Sequence, residues 1–69
     1  MRVIELNAEN LIAAIDFTEQ DYNAVADREC VSFSEFIVSV ICLTEDQNGT
    51  LEDAVFIAND AYTKLCEKA

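Results

Sequence analysis

The chain contains no histidine, no proline and no tryptophan, and a single glycine. Without His there is no imidazole to act as a base, a proton shuttle or a metal ligand near neutral pH. One glycine cannot build a phosphate-cradling loop. Basic residues are scarce too: four Lys and Arg stand against 14 Asp and Glu, a net charge of −10 over 69 residues. Nucleic acid is gripped through clusters of Lys and Arg, and anionic membrane surfaces attract polybasic segments. Direct contact with nucleic acid or with a membrane is therefore not expected. Long apolar runs are missing as well. The longest uncharged one runs from Phe36 to Leu43, far short of the ~20 residues that span a bilayer. Residues 1–17 lack the basic region and continuous apolar stretch of a secretory leader, so a cytoplasmic protein is the expectation.

What is present is apolar side chain in quantity. Val, Ile, Leu and Phe supply 21 of the 69 residues, above the level at which a highly charged chain stays disordered. One small acidic domain over 1–69 is expected. A domain of this size buries only about 60% of the surface its unfolded chain exposes, and repulsion among the acids narrows the margin further. Cys30, Cys42 and Cys66 are an odd number at wide spacing, with no Cys-x-x-Cys pair and no zinc pattern. They read as reduced, buried small apolar residues.

With so few breakers, helix boundaries must come from caps. Asn7 can cap a helix, with Leu6 and Leu11 spaced as a hydrophobic staple. Ala8, Leu11, Ile12 and Ile15 then follow the i, i+3, i+4, i+7 rule. Thr18 repeats the device, with Asp21 in the box position and Phe17 and Tyr22 as staple; Tyr22, Val25 and Ala26 form the stripe. Ser32-x-x-Glu35 is a full capping-box sequence stapled by Val31 and Phe36, ahead of Phe33, Phe36, Ile37, Val40 and Ile41. After the Asn48-Gly49 turn signal, Thr50-x-x-Asp53 opens a last helix. Its face runs through Leu51, Ala54, Val55, Ala58, Tyr62, Leu65 and Cys66, with Lys64 and Lys68 in its last turns and Asp60 four residues before Lys64. Four caps before four stripes predict an all-α, compact bundle of about four short helices. The competing reading is a small α+β domain with strands near 2–6 and 36–43, because 36–43 is rich in β-branched residues.

No constellation for catalysis emerges. Glu45/Asp46 and Glu52/Asp53 are paired carboxylates, but a bundle this small offers little cleft in which to set two carboxylates against each other. Both pairs read instead as acids at helix starts, where negative charge suits the dipole. Ser32 and Ser34 have no base to activate them and no nucleophile elbow. Residues 44–51 match the middle of a calcium-binding EF-hand loop, with Asp46, Asn48 and Gly49 in register. The two ends fail, since Thr44 and Val55 stand where carboxylates are needed. A carrier-protein attachment site would need Asp before its Ser, and Val31-Ser32-Phe33 lacks it. The expectation is a protein that is not an enzyme and holds no metal and no cofactor.

The distribution of charge is the remaining signal. Six acids and no base lie between Arg2 and Arg28, and seven acids and no base between Arg28 and Lys64. Ordinary surfaces mix signs. The leading expectation is a small acidic inhibitor or regulator that binds a protein partner at a basic, nucleic-acid-binding surface, in the manner of a nucleic-acid mimic. The densest patch is Glu45, Asp46, Glu52 and Asp53 around the turn. Glu19, Asp21 and Asp27 form a second patch. Size, acidity and helical caps are shared with many small phage and plasmid proteins, although no stretch carries a family motif. The alternative is a helical homodimer or adaptor working through apolar residues off the main stripes: Val38, Cys42, Phe56 and Ile57.

Overall fold

Each of the four caps opens a helix. The computed structural model describes residues 5–26 and 31–68. It comprises α1 (Ala8–Ala14), α2 (Glu19–Val25), α3 (Phe33–Asp46) and α4 (Leu51–Lys68), with no strand among the described residues. Asn7 Oδ1 accepts the Asn10 backbone N–H at 2.9 Å. At α2 the box is reciprocal: Thr18 Oγ1 accepts the Asp21 N–H and Asp21 Oδ2 accepts the Thr18 N–H, at 3.1 and 3.0 Å. Asp thus takes the place of the more usual Glu. At α3 the Ser32 hydroxyl accepts the Glu35 N–H at 3.3 Å. At α4 the carboxylate of Asp53 accepts the Thr50 N–H at 2.8 Å.

The segment 36–43 lies wholly inside α3, which settles the choice between strand and helix. Burial decides it independently. Phe33, Phe36, Ile37, Val40 and Thr44 are buried, while Ser34, Glu35, Val38 and Ser39 face outward. That is the helical period; a strand would have put Phe36, Val38 and Val40 on one face. The β-branched residues reflect packing demand, which overrides their mild preference for strand.

α1 and α2 are joined by an extended link in which Ile15 and Phe17 are buried and Asp16 is exposed. Ile15 therefore reaches the core from the link, after α1 has ended at Ala14. Within α1 only Leu11 is buried, and Ile12, expected on the stripe, is 44% exposed. A seven-residue helix beside a core this small presents one turn to it.

Phe17 is the centre of an aromatic cluster. Its ring stacks on Tyr62 at 4.2 Å and 7°, and meets Phe33 edge-on at 6.3 Å and Phe36 at 6.1 Å. Tyr22 lies 5.0 Å from Phe36, and its hydroxyl donates to the Val31 carbonyl at 2.6 Å, so the polar tip of a buried ring is satisfied. Ala54 and Ala58, both fully buried, give α4 its close approach to the other helices. Asn59 ties α4 to the link: its Oδ1 accepts the Asp16 N–H at 3.1 Å and its amide donates to Asp16 Oδ2 at 3.3 Å.

The thiols depart from expectation. Cys42 and Cys66 are free and exposed rather than buried, because the α3 and α4 positions they occupy turn off the core-facing stripe. Cys30 lies outside the described residues. No described helix is long and apolar enough to cross a membrane.

Candidate functional site

Twelve of the chain's acids fall among the described residues, and all twelve side chains are exposed. The one ion pair among the described residues joins Lys64 Nζ to Asp60 Oδ2 at 3.1 Å, at the expected i, i+4 spacing on exposed surface, where such pairs contribute under about 1 kcal/mol.

The turn between α3 and α4 gathers the densest group. Gly49 N–H bonds to the Thr44 carbonyl at 2.8 Å and Asn48 N–H to the Glu45 carbonyl at 3.0 Å, the paired bonds of a Schellman cap. Asn48 takes the left-handed conformation, φ 56°, so Asn48 rather than the glycine supplies the positive φ. Gly49 is needed for space: a Cβ there would lie 2.8 Å from Thr44 Cγ2 and 2.9 Å from Asp53 Oδ2. This short turn brings the end of α3, carrying Glu45 and Asp46, to the start of α4, carrying Glu52 and Asp53.

The four carboxylates do different things. Asp53 is committed to the cap, accepting the Thr50 N–H and, at 3.4 Å, its hydroxyl. Glu52 sits in the first turn of α4, where negative charge favours the helix dipole. Glu45 and Asp46 occupy the last turn of α3, which carries no base. The expectation that both acid pairs mark helix starts is thus corrected for Glu45 and Asp46. They stand at the negative end of the dipole, where a carboxylate is unfavourable by roughly 0.3–1 kcal/mol.

In the second patch, Glu19 and Asp21 lie in the first turn of α2, with Asp21 engaged in its capping box; Asp27 lies outside the described residues. Thr44 is buried, and its hydroxyl donates to the Val40 carbonyl at 2.8 Å. Among the described residues no three His, Cys, Asp or Glu side chains converge on a common point.

The four apolar candidates separate. Ile57 is half-buried and packs against the core. Val38 (55% exposed) and Cys42 lie one turn apart on the outer face of α3. Phe56, 72% exposed, projects from the outer face of α4. Glu52 and Asp60, four residues before and after it, share that face. The i+4 spacing from Phe56 to Asp60 is legible in the sequence, but there Asp60 stands out only as the partner of Lys64. Near the end of α4, the phenol of Tyr62 is held above the ordinary tyrosine value by the interaction of its hydroxyl, as donor, with the Cys66 sulfur, with burial and the charges of Cys66 and Asp21 adding in the same direction.

No family model matches the chain, and no curated protein and no solved structure matches it either.

Proposed function

We propose that this is a non-enzymatic binding protein that occludes a basic, nucleic-acid-binding surface of a protein partner. Glu45, Asp46 and Glu52 are its central contacts, and Glu19 adds to the negative field from α2. The placement of Glu45 and Asp46 carries the reading. Caps account for Asp21 and Asp53, and the dipole accounts for Glu52, but local stability argues against two carboxylates in the last turn of α3. Exposed charge kept at a cost to the helix supports a role outside the fold, and complementary charge is what steers and selects a cationic partner surface. The mechanism is steric and electrostatic occlusion, with no bond made or broken. Exposed free thiols at Cys42 and Cys66 accord with a reducing, cytoplasmic setting, and a phage or plasmid origin fits a small inhibitor of a host protein.

The test is affinity capture with the wild-type protein and with a Glu45→Lys/Asp46→Lys/Glu52→Lys variant. The wild type should retain a nucleic-acid-binding protein that salt elutes, because exposed charge contacts are screened beyond about 10 Å at 0.1 M ionic strength. The variant should retain none. Equal retention by both would remove this patch from the account.

A second reading rests on a different observation. Val31, Val38 and Cys42 fall on the side of α3 away from the core, and Val31 and Val38 share a shallow surface groove with Ser34, Glu35 and Ser39. That line is suited to a second copy of the chain. Light scattering separates the two: a monomer at high concentration excludes the homodimer.

A further inference from the structure

Phe56 is the most exposed large apolar side chain among the described residues, and no stability argument accounts for it. It lies on the far side of α4 from Ala54 and Ala58, so it contributes nothing to the core. Its neighbours along the helix surface are Glu52 at i−4, Asp53 at i−3 and Asp60 at i+4, all exposed. A solvated face would carry a polar residue at this position, and a surface relying on charge alone would carry another carboxylate. An isolated aromatic ring with acids one turn, about 5.4 Å, to either side has the form of an interface anchor: a rigid apolar group at the centre and polar groups at the rim.

Resting on the reading that the acidic face meets a basic protein surface, we infer that the outer face of α4 docks a cationic amphipathic helix of the partner. Phe56 packs into that helix's apolar stripe, Glu52 meets a Lys or Arg row beside it, and Asp60 exchanges its exposed pairing with Lys64 for a cation of the docked helix. Charge complementarity fixes the occupant. An anionic partner would be repelled by this face, and a second copy of this chain carries the same negative charge. The consequence is a division of labour: the carboxylates set the salt dependence and the ring sets a salt-independent part of the affinity.

The chain has no tryptophan, so Phe56→Trp places a single fluorescent reporter at the site. Phe56→Ala removes the anchor from an exposed position, and circular dichroism checks that the helices persist. Two synthetic helical peptides serve as probes. One has leucines at helical spacing between rows of arginine, and the other has the same arginines with the leucines replaced by glutamine. The leucine peptide should blue-shift the indole emission of the Phe56→Trp variant. It should also bind the wild type roughly 30-fold more tightly than the glutamine peptide does. Phe56→Ala should abolish that difference while leaving the salt slope unchanged. Equal binding of both peptides to wild type and Phe56→Ala, or an unshifted indole emission, would overturn the anchor and leave the charge reading standing. Failure of both peptides to bind at low salt would overturn the charge reading together with it.

Discussion

Gly49 has no positive φ, yet a methyl group there would press within 3 Å of Thr44 and of the capping carboxylate of Asp53. Its role is to let the end of α3 and the start of α4 come together. Gly49→Ala should therefore destabilise the fold by about 1–3 kcal/mol, the usual cost of overpacking, measured by urea denaturation; an unchanged midpoint would mean that the turn relaxes freely. Phe17 is a larger case of the same kind. It lies in a link, outside any helix, and still touches Phe33, Phe36 and Tyr62. Phe17→Ala should remove about 3–5 kcal/mol, most of the stability of a domain whose total is of order 5 kcal/mol, so its unfolding midpoint should fall close to zero denaturant. Urea denaturation followed by far-ultraviolet circular dichroism reads this directly. In the sequence Phe17 stands out as a staple for Tyr22, but its stack with Tyr62 joins residues 45 positions apart and cannot be read from local spacing.

Helices are legible in the sequence because caps are local chemistry. Asn7, Thr18, Ser32 and Thr50 each announce a boundary within four residues, and each opens the helix expected of it. Helix ends are less legible. The periodic stripe carries Ile15 into α1, whereas the chain leaves the helix at Ala14 so that Ile15 and Phe17 can both reach the core. The same limit applies to Glu45 and Asp46. Without the helix end fixed at Asp46 they read as acids opening a helix, and only the end of α3 reveals their conflict with the dipole. That conflict gives a prediction at this scale. Glu45→Lys/Asp46→Lys should raise the melting temperature, by an amount corresponding to about 0.5–2 kcal/mol, while weakening capture of a basic partner. A variant that melts lower would show that these carboxylates stabilise the fold and would remove the argument for recognition.

At the scale of the whole molecule, all twelve described acids are exposed, with the Lys64–Asp60 ion pair as their one described neutralising contact. Such a surface repels itself, so added salt should raise the melting temperature by screening; a melting temperature that falls with salt would point to attractive charge contacts dominating instead. The all-helical class is readable from composition and caps together. Which acids belong to caps and which face outward is not, because that division depends on where each helix stops and on hydrogen bonds between side chains and backbone. The central claim is that the outward acids occupy a surface that otherwise holds nucleic acid. Its most direct measurement is the fluorescence anisotropy of a labelled nucleic acid bound to the captured partner, as this protein is titrated in. The account predicts that the nucleic acid is released stoichiometrically at about 50 mM salt, and that the affinity between the two proteins, measured without nucleic acid, falls steeply toward about 200 mM. Anisotropy that stays constant while the two proteins remain bound to each other would contradict it.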